Sequence, residues 1–227
     1  MLNLIDIQEA RQDFRYLLNR QYPRKAALEL VGNRYQLSID ERHILHRGVF
    51  SVFDSKSRSE KKIPAGRMKN RDLAIDGYNV LITIEAGLSG TPLILADDGF
   101  TRDTSGLSGN FRKTARTDKA LKLILDDLKR VKPRRVLFLF DAPISKSGEL
   151  AEVVRGQLHE AGLPGDALAV KVPENILIGF PGIVATSDTA IINRSEKVID
   201  LAGHVLRTQI KPKSMIRWSR KSGTPGR

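Results

Sequence analysis

The sequence predicts an α/β fold, a mostly parallel sheet flanked by helices and preceded by a small all-α unit. Two observations carry this. Short apolar runs at 73–75, 93–95, 136–140, 167–172 and 183–185 lack the alternation of half-exposed strands, as expected of strands covered on both faces. Helical stretches lie between several of them, and strands alternating with helices imply parallel pairing. Before residue 71 the pattern is different, with apolar residues recurring at helical spacing.

In that first segment Ile7, Ala10, Phe14, Leu17 and Leu18 mark one helix, and Pro23 breaks the chain before a second that holds Ala26, Ala27, Leu30 and Val31. Gly32 suits the end of the second helix. Ser38 and Glu41 have capping-box spacing, so a third helix is expected to run towards Arg47. The stretch 32–37 is longer than the tight turn of a helix-turn-helix, which weakens that reading. Residues 54–70 are polar and interrupted by Pro64 and Gly66, as in a linker. In the α/β part, 117–131 is the best helix: Ala120, Leu121, Ile124, Leu125 and Leu128 form one stripe opposite Lys122, Asp126, Asp127 and Lys129. Another spans about 149–161 and closes at Gly162. The predicted organisation is therefore a helical domain at 1–53, a linker at 54–70, an α/β domain at 71–206 and a basic tail at 207–227.

A chain of 227 residues with 41% apolar residues can bury a proper core. It contains no cysteine, which excludes disulfides, thiolate zinc sites and a cysteine nucleophile, and fits a reducing compartment such as the cytoplasm. Residues 1–9 lack the basic-then-apolar pattern of a secretory leader. The longest apolar stretch, 175–185, is interrupted by Gly179, Pro181 and Gly182 and falls short of the roughly 20 residues a spanning helix needs, so no membrane partner is expected.

The net charge of +12 is unevenly placed. Residues 1–71 hold 15 Lys and Arg against 8 Asp and Glu; 207–227 hold 7 against none; the middle holds 16 against 18. Basic flanks around a near-neutral middle point to a polyanion, with nucleic acid, RNA above all, as the expected partner. Arg24, Lys25 and Arg34 are the N-terminal candidates for that contact. Lys211, Lys213, Arg217, Arg220 and Lys221 are the C-terminal ones, with Trp218 among them as a ring to stack on an unpaired base. A solvated basic tail has the same composition.

In open α/β sheets the working site lies beyond the carboxyl ends of the strands. Asp76, Asp97-Asp98, Asp141 and Asp188 follow four of the five runs. Carboxylates crowded on one edge repel one another unless a cation sits among them, and hard oxygen ligands favour Mg²⁺ or Mn²⁺. Such ions orient and activate water and neutralise charge on a scissile phosphate. Aspartate after a strand also caps the following helix. Asp141 before Ala142-Pro143 and Asp97-Asp98 before Gly99 are not at obvious helix starts, whereas at 186–188 any of Thr186, Ser187 and Asp188 could be the cap.

The stretch Asp76-Gly77-Tyr78-Asn79-Val80 after a strand resembles the opening motif of PIN-like nucleases, especially their NYN branch, and Thr186-Ser187-Asp188 resembles that superfamily's late motif. Over nearly its full length the chain resembles an uncharacterised, largely archaeal family that pairs a small helical domain with a PIN-like one. The specific carriers are Tyr22-Pro23-Arg24-Lys25, 30–35, Asp97-Asp98-Gly99-Phe100, the Asp141-Ala142-Pro143-Ile144-Ser145-Lys146-Ser147-Gly148-Glu149-Leu150 stretch and Ala185-Thr186-Ser187-Asp188. The resemblance implies a Rossmann-like PIN domain and a divalent-metal-dependent nuclease, with Asp76, Asp141 and Asp188 as metal-binding and catalytic acids. The second acid comes from Asp97, Asp98, Asp103 or Asp118, with Asp98 or Asp103 preferred and Asp98 taken for the catalytic set. Asn79 and Ser187 are supporting candidates, and Ser145 and Lys146 could hold the scissile phosphate. PIN-like domains often pair, which makes a homodimer a further expectation.

Competing readings are a non-catalytic RNA-binding or ribosome-associated scaffold with a degenerate site, and a hydrolase of small phosphates. The second has less use for extended basic flanks. The sequence has no G-x-x-x-x-G before Lys146, no G-x-S-x-G, and histidines at 43, 46, 159 and 204 of which only His43 and His46 are close.

Overall fold

The computed structural model of the protein describes residues 4–104 and 111–218. Four helices open the chain, α1 (Leu4–Asn19), α2 (Arg24–Arg34), α3 (Ile39–Gly48) and α4 (Val52–Lys61). The Ser38 capping box is formed, with the serine side chain accepting from the Glu41 backbone and Glu41 accepting from the Ser38 backbone at 2.9 Å. Gly32 is not an end signal: α2 continues to Arg34, and the glycine leaves room for the Arg42 guanidinium, into which a Cβ would project.

The expected linker at 54–70 instead contains most of α4 and a 3₁₀ turn, Ala65–Met68. Periodicity missed α4 because it buries no apolar stripe. Its Val52 and Phe53 are exposed, and it is held by the Ser51 cap and by polar contacts, Arg58 Nε donating to Asn193 and Lys61 Nζ to the carbonyls of Ile192 and Asn193.

The main sheet comprises β1 (Asp72–Asp76), β4 (Arg135–Asp141), β5 (Gly165–Val170), β6 (Ile183–Ala185) and β7 (Val198–Ile199), all parallel, in the order β5-β4-β1-β6-β7. The chain thus runs outward from β1 through β4 to β5 and then crosses back to β6 on the other side. Both faces are covered. Leu73 and Ile75 join the core made with α5 (Gly77–Ser89), α6 (Ala115–Val131), α7 (Ser147–Glu160) and α10 (Leu201–Val205). Ala74, Leu139 and Val184 point the other way, against Leu177 of α8 (Pro173–Ile178) and Ile191 of α9 (Thr189–Arg194). The α6 stripe read from sequence is buried throughout.

The run 93–95 does not join this sheet. As β2 (Leu93–Leu95) it pairs antiparallel with β3 (Thr101–Asp103) and parallel with β8 (Met215–Arg217), forming a separate three-stranded sheet. This sheet shares a core with the helices: Ile94 is fully buried among α1, α2 and α3 residues, with Ile216 and Trp218 packed alongside. The first part of the segment read as a basic tail is therefore folded in. No helix among the described residues is long and apolar enough to cross a membrane.

Candidate functional site

The carboxyl ends of β4, β1 and β6 lie side by side. The sheet order reverses between β1 and β6, which opens the crevice where ligands of doubly wound sheets bind. Asp76 is the last residue of β1 and the residue before α5, yet its side chain makes no cap bond to that helix. Gly77 permits this tight start: a Cβ there would lie 2.3 Å from the Phe140 ring and 2.8 Å from the Leu139 carbonyl oxygen. Ile75 pairs with Ala185, so Thr186 stands beside Asp76 and its hydroxyl donates to Asp76 Oδ2 at 2.8 Å.

Asp188 is itself the cap of α9. Its Oδ1 accepts from the Ala190 and Ile191 backbone N–H groups at 2.8 and 3.1 Å, while its own N–H donates to Thr186 Oγ1 at 3.0 Å. Asn79 Oδ1 accepts from both the backbone N–H and the hydroxyl of Ser187, at 2.8 and 3.0 Å, tying the first turn of α5 to the loop after β6. Asp141 ends β4, half-buried.

These carboxylates feel one another. Burial, with like charge from Asp188 and Asp141, pushes Asp76 up to about 7, against the pull of the Thr186 hydrogen bond and the weaker pull of the Asn79 backbone N–H, which lies too poorly aligned to cap the helix. Asp141 is also raised, by burial and then by Glu174, which sits in the first turn of α8. Glu174 escaped the sequence reading, although its place just after β5 is the same strand-end signal. None of Asp76, Asp141 and Asp188 forms a salt bridge among the described residues. Nor is any group of three or more His, Cys, Asp and Glu side chains among the described residues spaced to hold a metal ion.

Two cavities flank this edge. One of about 550 Å³ is lined by Tyr78, Phe111, Lys113, Ser145 and Lys146 among others. The Tyr78 and Phe111 rings are 4.8 Å apart, and the buried Tyr78 hydroxyl has no hydrogen-bond partner among the described residues. Burial, then Asp141, raises that hydroxyl to about 12, so it stays a donor. The predicted Ser145 and Lys146 thus face a cavity beside the acids, and Lys146 makes an exposed pair with Glu149 at 3.6 Å. The second cavity, about 210 Å³, lies on the other side against Asn79, Ser187 and Asp188, with Arg24, Arg47 and Arg102 on its wall.

The proposed second acids are elsewhere. Asp98 is completely buried and bound by both Arg102 terminal nitrogens at 2.8 Å, with Arg58 at 3.6 Å and the Phe100 N–H at 3.2 Å. Asp97 is held by Arg11 at 3.0 Å, by Arg15 and by the Phe50 N–H. Asp103 pairs with Arg47 at 3.0 Å, and the exposed Asp118 with Lys113 at 3.0 Å. Because β2 belongs to the small sheet, the aspartates around it face arginines of the helices and of β3 instead of the crevice. Asp98 is therefore not a candidate metal ligand.

This also revises the charge argument, since much of the N-terminal positive charge is consumed internally. Arg34 lies 3.7 Å from Asp13 on an exposed surface, whereas Lys25 is exposed. Arg24 has no acidic partner within ion-pair distance among the described residues. It donates to the backbone carbonyls of His46 and Val49, and desolvation, then neighbouring Arg58 and Arg102, lowers its pKa to about 10. Trp218 is not a free stacking platform: its indole N–H donates to the Gly48 carbonyl at 3.3 Å and Arg11 covers its ring. Lys211, Lys213 and Arg217 are exposed or nearly so around β8, and Arg220 and Lys221 lie outside the described residues.

Residues 65–204 match the model of a domain of unknown function, DUF5616, and residues 6–61 that of a protein of unknown function, DUF434. The first of these spans the main sheet; the second ends with α4. The chain is similar to the uncharacterized protein MJ0935 of Methanocaldococcus jannaschii, 36% identical over 194 residues that cover 86% of this chain and 92% of the relative. No solved structure matches.

Proposed function

For a chain that belongs to the DUF5616 family, we propose a PIN-like, divalent-metal-dependent nuclease acting on RNA phosphodiesters, with Asp76, Asp141 and Asp188 as its acids. The observation that carries this reading is the buried Asp76 carboxylate, which has no cationic partner among the described residues and is crowded by two further aspartates. Burying charge without compensation is costly, and oxygen-only donors at such a point suit Mg²⁺ or Mn²⁺. Bound there, the ion supplies water activation and charge neutralisation at the phosphate. Thr186 fixes one Asp76 oxygen, and the Asn79 bond to Ser187 keeps the loop after β6 in register with α5. Lys146 and Ser145 offer a cation and a hydroxyl to the substrate phosphate from the adjoining cavity.

The test is Mn²⁺ titration calorimetry on the wild type and Asp76→Asn, beside cleavage of a labelled single-stranded RNA. Loss of both binding and cleavage in the variant supports the nuclease. Because Asp76 holds a proton up to about pH 7, Mn²⁺ affinity is expected to rise with pH by up to tenfold per unit below 7 and to level off above it. A second reading, an RNA-binding scaffold with a degenerate site, draws on the spacing of the acids, which do not form a ready ligand group among the described residues. RNA retention without Mn²⁺ binding or cleavage would select it.

A further inference from the structure

Four arginines meet at the seam between the helices and the carboxyl edge of the main sheet, and three of them, Arg47, Arg58 and Arg102, have carboxylate partners. Phe50 is buried at its centre, with the guanidinium carbons of Arg24, Arg58 and Arg102 at 4.8, 4.5 and 5.0 Å from its ring centroid. Arg58 and Arg102 share Asp98, and Arg47 has Asp103. Arg24 has no carboxylate among the described residues, and the buried Nε of Arg47 has no hydrogen-bond partner there. Both side chains line the 210 Å³ cavity that reaches Asn79, Ser187 and Asp188. A half-buried guanidinium left without a carboxylate on the wall of an open cavity favours an anion with several acceptor oxygens.

We propose that this cavity is a phosphate-binding pocket for the backbone of a single-stranded nucleic acid, so that the helical unit completes the substrate site of the α/β domain. Arg24 supplies the direct donor, while Arg47, paired with Asp103, and Arg102, whose own bonds are taken by Asp98 and the Ser187 carbonyl, supply field. A strand is favoured over a free phosphate because the cavity continues. Arg24, Phe50 and Thr189 also line an adjoining space of about 400 Å³, whose outer end carries the rings of Tyr22 and Phe53, 52% and 80% exposed. Exposed rings next to a cationic groove suit unpaired bases. The inference rests on the nucleic-acid part of the proposed function and names the surface that would hold the strand beside Asp188.

The test uses the full chain carrying Asp76→Asn, without divalent metal, and measures anisotropy of a labelled single-stranded oligouridylate as a function of salt. Thr189→Glu puts a negative charge into the pocket at a first helical turn, where an acid favours folding. It is expected to weaken binding at least tenfold. Arg24→Gln should do the same and reduce the logarithmic salt slope by about 0.7, the value for one phosphate contact on a single strand. Lys197→Gln, in a cavity at the opposite ends of the strands, should change affinity less than twofold. Thr189→Glu with an unchanged urea midpoint and affinity within twofold of the parent would overturn the pocket. Displacement of the oligomer by inorganic phosphate or uridine monophosphate at equal phosphate concentration would overturn the strand in favour of a small phosphate. A pocket upheld by these variants while wild type and Asp76→Asn cleave RNA equally would remove the nuclease reading and leave the binding site standing.

Discussion

Two groups of aspartates, most of them following short apolar strands, meet opposite fates in this molecule. Asp97, Asp98 and Asp103 surround the β2–β3 hairpin, and each is matched by arginine from the helical unit or its own hairpin, Asp98 by two guanidinium groups at complete burial. Asp76 and Asp141 end β1 and β4 and Asp188 follows β6, none with a salt bridge among the described residues, and burial, with like charge from the other two, drives Asp76 up to about 7. The first group is a clasp that fastens the helices to the α/β domain. The second is left with its repulsion unrelieved, which is the condition under which an external cation or proton is recruited. Residue type and position after a strand are the same in both; the charge on the facing element distinguishes them.

The contrast breaks most sharply at Asp98. Asp98→Ala leaves the Arg102 and Arg58 guanidinium groups buried without their shared acid and is expected to cost roughly 3–5 kcal/mol, read as a lower urea midpoint. Asp76→Asn should act in the opposite direction. Its folded-state pKa lies above the unfolded one, so the native state holds the extra proton and wild-type stability falls as pH rises from about 4 to 7, then levels off. The variant is therefore expected to be more stable than wild type by up to about 4 kcal/mol at pH 8 and nearly equal at pH 4, in paired thermal or urea melts. A variant less stable at pH 8 would mean that Asp76 is already compensated.

Asp188→Ala separates capping from repulsion. Loss of the two α9 amide bonds should cost about 1 kcal/mol, while Asp76, relieved of one like charge, should titrate lower in carboxyl-resolved NMR. The smallest stability effect is expected for Lys146→Gln. Its exposed pair with Glu149 contributes at most about 1 kcal/mol, so a clear loss of RNA affinity with unchanged stability would assign Lys146 to the substrate.

The sequence by itself determined four of the five strands of the main sheet and the place of the three acids after three of them. The runs that became β1, β4, β5 and β6 are apolar because both their faces are covered, a local signal, and the polar residue that ends each run stays on the strand's own axis wherever the sheet is built. Tertiary structure alone decided which aspartates are free. Arg11 meets Asp97 and Arg47 meets Asp103 across 86 and 56 positions, and β2 finds its parallel partner only near the end of the described chain. Three-residue strands carry too little pattern to announce such pairings, and a count of arginines cannot say which are neutralised within the fold. The same limit left Arg24, legible in the sequence only as a basic contact for a polyanion, without its place beside Asn79 and Asp188, because Coulombic forces act through space and composition records only order along the chain.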